Sequence, residues 1–306
     1  MSQCFYSTSY QKNVPLKDVL KECRERGLAH VELSAPHPVM PLDEIKSLMI
    51  EYKNKGFSFL THNYFPPQTQ DFFLNIASFD SQIQDLSEKI ARETLELAKS
   101  VQASVYGIHS GFLADAKVQP HGRFLFNPQT HDRKKCLDQA ARFIQKIAGD
   151  FEKGHVALAL ENLFPIDQRD ISLVCSWPDI CDLMSVVPKD VGLLLDLGHL
   201  NISANLMGFK KFQFLDKYLS KFGERLYEVH LSENNGTTDE HLPLKENSWQ
   251  LDVLKDIVTV PINRRFERVY CLEARNAVVF EPIQKSMVWI EECLRQLPQL
   301  ECGPRS

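Results

Sequence analysis

Residues Val191–His199 read VGLLLDLGH, an unbroken apolar run that closes on Asp196, with His199 three residues further on. An apolar run without alternation marks a strand buried on both faces, as parallel strands under helical crossovers are. The same shape recurs at Cys4–Ser7, His30–Ser34, Phe57–His62, Val105–His109, Val156–Glu161, Leu226–His230 and Val269–Glu273. Between these runs lie patterns of helical spacing: Leu16–Arg26, Leu42–Lys55, Ser81–Ser100, Lys134–Lys153, Trp177–Val186, Phe209–Phe222 and Glu281–Gln296. Gly27, Gly56 and Gly154 are placed to stop three of them. Strand and helix that alternate in this way predict a parallel sheet with helical crossovers. Eight strand runs in 306 residues favour a closed (β/α)8 barrel over an open doubly wound sheet. No Gly-rich phosphate loop follows any of the strands, which also counts against the open nucleotide-binding folds. With no linker and no repeat, the expectation is an α/β chain of one domain, 1–306, whose active site opens at the C-terminal mouth of the strands.

Composition narrows the function classes. Hydrophobic residues are 43% and charged residues 25%, with a net charge of −5, so the chain has the balance of a globular enzyme and not of a disordered one. No apolar run reaches the ~18 residues of a membrane span, and the polar start MSQCFYSTSYQKN lacks the basic and apolar regions of a secretory signal. The eight cysteines form no CxxC pair and read as free thiols, so a cytoplasmic location is expected. The basic clusters Arg133–Lys135, Lys210–Lys211 and Arg264–Arg265 are short and read as solvated faces, which disfavours a nucleic-acid partner.

The polar residues inside the apolar runs carry the chemistry. His62 ends FSFLTH, His109 ends VYGIH, Glu161 ends VALALE, Asp196 ends VGLLLD, His230 ends LYEVH and Glu273 ends VYCLE. His199 follows Asp196, and Asp239 and His241 follow His230 in the segment TDEH. In a barrel these positions converge on one mouth. Four carboxylates and five imidazoles would then share a cavity, and unneutralised carboxylates there would repel and protonate. A divalent metal is the simplest compensation. Glu32, inside HVELS, is a further candidate for the mouth, and Arg123 and Arg275 are candidates to meet an anionic substrate group. Tyr64, in the aromatic loop NYFPPQTQDFFLN after His62, is placed to cover a substrate. His30, His37, His121, His131 and His155 read as solvated or locally bonded.

The segments VELS, GIHSG, LALEN, LLLDLGH, VHLSENNGTTDEHLPL and CLEAR resemble, in order and spacing, the xylose isomerase-like TIM barrel superfamily. Its isomerase and epimerase branch implies one divalent cation (Zn, Mn, Mg or Co) held by Glu161, Asp196, His230 and Glu273. In that branch Glu161 and Glu273 would be the acid/base pair acting on a small sugar or sugar derivative through an enediolate, and His199 would bind a substrate oxygen. The abasic-site endonuclease branch, that of endonuclease IV, implies three zinc ions. His62, His109 and Glu161 would hold one, Glu161, Asp196, His230 and Glu273 the second, and His199, Asp239 and His241 the third. The loop after His62 contains no Lys or Arg, which favours the sugar branch, because a DNA enzyme must grip phosphates. An Arg six residues after the strand-end His, as the epimerases carry it, is replaced here by Gly236, so ketohexose specificity does not carry over. Loss of a β-hydroxyl from the same enolate, dehydratase chemistry, stays open. The resemblance also allows a homodimer.

Overall fold

The computed structural model describes residues 4–11, 13–34, 37–119, 123–166, 170–262, 265–275 and 280–295. His121, Arg264, Cys302, the 301–306 tail and the side chain of Arg123 lie outside the described residues. The strands are β1 (Cys4–Ser7), β2 (His30–Leu33), β3 (Ser58–His62), β4 (Val105–His109), β5 (Ala116–Gln119), β6 (Arg123–Phe126), β7 (Ala157–Glu161), β8 (Gly192–Asp196), β9 (Leu226–Leu231) and β10 (Val269–Leu272). All but β5 and β6 close into a barrel in the order β1-β10-β9-β8-β7-β4-β3-β2. The neighbours run parallel throughout. The eight apolar runs of the sequence are these eight barrel strands, shifted by at most one residue at an end.

The helices are α1 (Leu16–Glu25), α2 (Leu42–Asn54), α3 (Ser81–Val101), α4 (Arg133–Lys153), α5 (Trp177–Val186), α6 (Leu197–Met207), α7 (Lys211–Phe222), α8 (Trp249–Ile257) and α9 (Glu281–Arg295). Their starts follow local chemistry. The Asp80 carboxylate accepts from the Gln82 and Ile83 amides at the head of α3, and Asp132 accepts from Lys135 at the head of α4, which satisfies amides that have no partner within the helix. Ser176 and Asp179 close a capping box on α5. Three elements were not anticipated. Helix α6 starts directly on Asp196, and in its run LGHLNISANLM the polar His199, Asn201, Ser203 and Asn205 alternate with apolar residues, so its helical periodicity is weak. Helix α8 is short, and the antiparallel hairpin β5–β6 interrupts the crossover from β4 to α4.

Two apolar cores follow from strand alternation. Residues facing outward, such as Leu158, Leu160, Leu193 and Leu195, pack under the helices. Residues facing the axis, Phe5, Leu60, Val105, Ala157, Ala159, Leu194, Tyr227, Val269 and Cys271, form a separate plug inside the barrel. Strand β9 carries a bulge: Leu193 pairs with Leu226, but Leu194 pairs with Glu228. The extra residue, Tyr227, turns into the plug, and Glu228 and His230 then share the inward phase. Among the described residues, no helix is long and apolar enough to cross a membrane.

Gly192 makes the bulge possible. A Cβ there would lie 2.0 Å from the Tyr227 ring and 2.6 Å from the Arg225 carbonyl oxygen, which is backbone and cannot swing away. Gly192→Ala is expected to destabilise the protein by at least about 1–3 kcal/mol, the usual scale of overpacking. Urea unfolding measures this, and a loss inside the error of the method would contradict the packing argument.

Candidate metal centre at the barrel mouth

Each strand-end side chain reaches the axis because it continues the inward phase of its strand. Glu161 follows Ala157 and Ala159, Asp196 follows Leu194, His62 follows Leu60, and Glu273 follows Val269 and Cys271. His109 lies two residues beyond Gly107, and His230 two beyond Glu228. Glu161, Asp196, His230 and Glu273 come from β7, β8, β9 and the end of β10, four neighbouring strands of the barrel wall. All four are at most 1% exposed. His62, His199 and His241 are also buried, whereas His109, Asp239 and Arg275 form the partly exposed rim.

The nine strand-end and loop residues meet in one bowl. His62 Nε2 and His109 Nε2 lie 3.5 and 3.4 Å from Glu161 Oε2, and His199 Nδ1 lies 3.1 Å from Glu161 Oε1. His230 Nδ1 is 3.2 Å from Glu273 Oε2 and 3.9 Å from Asp196 Oδ2. His241 Nε2 and His199 Nε2 are 2.6 and 3.7 Å from the Asp239 carboxylate. Among these residues four groups of potential ligand atoms lie within 4.8 Å of one another: His62–His109–Glu161, Asp196–His230–Glu273, His199–Asp239–His241 and Glu161–Asp196–His199.

Backbone and amide partners orient these rings. The His241 ring contacts the Glu273 carbonyl oxygen through Nδ1 at 3.0 Å, and the His199 ring contacts the Asn162 carbonyl oxygen through Nδ1 at 2.9 Å. A carbonyl only accepts, so Nδ1–H donates in both rings and Nε2 faces Asp239. Asn162 also exchanges two hydrogen bonds with the Asp196 backbone, and the Asp196 Oδ1 caps α6 by accepting from the His199 amide at 2.7 Å. Asn63, with φ of 42°, donates to His62 Nε2 through its side-chain amide and accepts from the His109 amide at 2.8 Å.

Electrostatics give the bowl two faces. Burial would raise Glu161, but His109, His62 and His199 outweigh it and hold the carboxyl well below the usual range. Burial also opposes ionisation of Glu273, and there Arg275, His241 and His230 prevail. Asp239 is held low against burial by His241 and His199. Asp196 goes the other way: burial raises it, and His199 offsets this only in part. Burial lowers His199 and His230, but the surrounding carboxylates win and both are raised well above the ordinary imidazole value. Burial pushes His109 down to about 4. Yet both Glu161 oxygens, Asp196 Oδ2 and Asp239 Oδ1 accept no hydrogen bond. Buried carboxylate oxygens of this kind, interleaved with imidazole nitrogens, are a donor set that fits a divalent cation.

The other sequence candidates are placed as follows. Arg275 is at the rim, with Nη2 2.6 Å from Glu273 Oε1 and Nη1 3.8 Å from Asp239 Oδ2; its charge is engaged by the site's own carboxylates. Tyr64 is not in the cluster. Its hydroxyl accepts from the Leu74 amide at 2.8 Å and its ring lies against Phe72 and Phe124. His37 is bonded to Val14 and Thr8, His131 packs on Phe79, and His30 packs on Phe5. Glu32 is fully buried below the ligand layer, with its Oε2 2.8 Å from His230 Nε2. Sequence reasoning missed Glu228, Asn63 and Asn162. Glu228 was readable, since it is two residues before His230 and shares its face. The two asparagines also carried a signal, each following directly on a strand-end ligand type, as HN and EN.

A family model described as xylose isomerase-like TIM barrel matches residues 20–293. Fructoselysine 3-epimerase of Escherichia coli O157:H7 is 21% identical over 307 residues, covering 96% of this chain and 98% of that protein. An uncharacterised protein of Methanocaldococcus jannaschii is 23% identical over 188 residues, so the chain spans just 57% of that relative's length. Among solved structures, a D-tagatose 3-epimerase-like protein superposes with a TM-score of 0.72 at 21% identity, over 96% of this chain and 97% of that one. A Thermus thermophilus protein soaked with zinc chloride superposes with a TM-score of 0.62 at 16% identity, over 97% of this chain and 99% of that one.

The raised values of His199 and His230 predict how a metal would bind. A ligating ring nitrogen must be unprotonated. Both histidines hold their protons above pH 6.5, so protons compete with the ion there. Zinc affinity is expected to rise with pH above about 6.5 until the two rings titrate, with proton release on binding. Calorimetry in buffers of different ionisation enthalpy reads the proton count, and a pH-independent affinity with no release would contradict this arrangement.

Proposed function

The chain belongs to the xylose isomerase-like TIM barrel family, and from that premise we propose that it is a metal-dependent isomerase or epimerase of a sugar or sugar derivative. The observation that carries this reading is the run of Glu161, Asp196, His230 and Glu273 along four adjacent strands, with a glutamate at each end. These four residues would hold the ion. A divalent ion in that position polarises a substrate carbonyl and stabilises the negative charge that develops on its oxygen.

The chain's own residues do the rest. One glutamate takes the proton from the carbon beside the carbonyl, and the C–H electrons move into an enediolate. The second glutamate takes up a proton from solvent and delivers it to the same carbon from the opposite face, which inverts it, or to the neighbouring carbon, which isomerises it, and the first then releases its proton to solvent. Both carboxyls are held ionised by imidazoles and Arg275, the state a base needs. His199 presents Nε2 to a substrate oxygen. The half-buried ring of Phe164, 4.9 Å from His199, offers apolar surface to the sugar's C–H face. The epimerase relatives agree with this reading.

A second reading, a zinc-dependent phosphodiesterase of the abasic-site endonuclease type, is favoured by one feature. The His199–Asp239–His241 group is an additional ligand set that a single-ion isomerase does not require, and a multi-metal cluster suits attack on phosphate esters.

Two measurements separate them. Glu161→Gln and Glu273→Gln are each expected to lower deuterium wash-in from solvent, across a panel of keto sugars and sugar derivatives, by about 10²–10⁴-fold. A variant that keeps full exchange removes that glutamate from the mechanism. Elemental analysis of protein purified without chelator should give about one divalent ion per chain for the isomerase and about three zinc for the cluster enzyme, the latter with cleavage of an abasic duplex.

A further inference from the structure

Below the ligand layer the barrel axis holds a second polar layer that the reaction does not use. Glu32 on β2 and Glu228 on β9 are both fully buried. They flank the same atom: His230 Nε2 is 2.8 Å from Glu32 Oε2 and 3.5 Å from Glu228 Oε1. Nδ1 of that ring, in contrast, faces Glu273 and Asp196 at the strand ends. The layer exists by construction. Glu228 shares the inward phase of His230, two residues on, and the β9 bulge lets its neighbour Tyr227 face inward as well. At Gly107 a Cβ would come within 2.8 Å of Glu228 Oε2 and 2.9 Å of His62 Nδ1, so a glycine leaves the room for both.

We propose that Glu32 is a positioning residue for the metal centre: by accepting the Nε2–H of His230 it fixes that ring so that the Nδ1 lone pair points at the ion. The proposal rests on the metal-dependent reading above and assigns a residue outside the four strand-end ligands. An imidazole carries one proton when neutral, and whichever nitrogen keeps it cannot ligate. A carboxylate at 2.8 Å selects Nε2 for the proton and makes the ring a stronger donor at Nδ1. Glu32 does this better than Glu228, whose closest oxygen is 0.7 Å farther from Nε2 (3.5 against 2.8 Å). The 2.8 Å approach lies outside hydrogen-bond angles as the two side chains stand, and neither Glu32 oxygen nor His230 Nε2 has another hydrogen-bond partner, so a small turn of the carboxylate completes the bond without breaking one.

The test compares Glu32→Gln with Glu228→Gln by chelator competition for zinc, without any sugar. Both residues are fully buried, so a general disturbance of the interior would affect the two variants alike. Glu32→Gln should lose about 10–100-fold in zinc affinity, and Glu228→Gln clearly less. The Co²⁺-loaded Glu32→Gln protein should show an altered visible spectrum, and ¹⁵N-histidine spectra of the zinc form should lose the strongly hydrogen-bonded Nε2–H of His230. Equal losses in the two variants, or an affinity in Glu32→Gln within about twofold of the natural chain, far short of the loss expected for an outer partner, would overturn the proposal. So would the loss of one whole ion per chain with the remaining affinity unchanged, which would make Glu32 a direct ligand through the Glu32–His62–His230 group. If Glu32→Gln does not fold, Glu32→Asp carries the test: the charge stays, the bond lengthens, and an unchanged affinity overturns the idea. A natural chain that binds no divalent ion would instead remove the metal reading itself, before any variant is compared.

Discussion

Charge buried at the barrel mouth is the constraint on which the rest of the molecule depends. Glu161, Asp196, His230 and Glu273 are almost without solvent contact, and isolated carboxylates in such a place would protonate rather than stay charged. The protein answers with imidazoles between the carboxylates and with Arg275 at the rim. The compensation is incomplete, since several carboxylate oxygens have no hydrogen bond. A cation would complete it chemically, and a fully satisfied network would have nothing left with which to bind one.

The barrel prepares for that charge one layer at a time. At the bottom, Phe5, Leu60, Val105, Ala157 and Tyr227 fill the axis as an apolar plug. Above them Glu32 and Glu228 are opposed in behaviour. Burial raises Glu228, whereas His230 and His62 overcome burial at Glu32 and hold it below the usual carboxylate range. The ligand layer lies on top. Small residues set these levels: Gly107 makes room for Glu228 and His62, and Gly192 for Tyr227. The asparagines after two strand ends then lock neighbouring strands together, Asn63 across β3 and β4 and Asn162 across β7 and β8.

Positioning and chemistry are shared among few atoms. The Asp196 carboxylate caps helix α6 with Oδ1 and leaves Oδ2 to the bowl. Glu273 gives Oε1 to Arg275, turns Oε2 toward His230, and lends its carbonyl to His241. Residues that carry both duties cannot move independently, and among the described residues of the cluster His109, Asp239 and Arg275 are the partly exposed ones.

The barrel and the ligand types were legible in the sequence because both are local. A buried parallel strand must be apolar throughout, so VALALE and VGLLLD announce themselves, and a His, Asp or Glu that closes such a run is conspicuous. Convergence at one mouth followed from the fold. Helix α6 and the β5–β6 hairpin were not legible, the first because His199, Asn201, Ser203 and Asn205 alternate with its apolar residues and blur its period, the second because its strands are largely exposed and carry no continuous buried apolar run. Local pattern was also silent on Tyr64, whose aromatic loop suggested substrate contact while its hydroxyl is used by Leu74. Nor could it assign the role of Arg275, whose guanidinium folds back onto Glu273, two residues before it, and toward Asp239 instead of facing a free anion site. What the sequence by itself determined is which residue types stand at the strand ends, because a two-residue period sends every second side chain inward. What the tertiary structure alone decided is which nitrogen of each histidine faces which oxygen, because those choices are made by atoms from different strands that meet only after the barrel has closed.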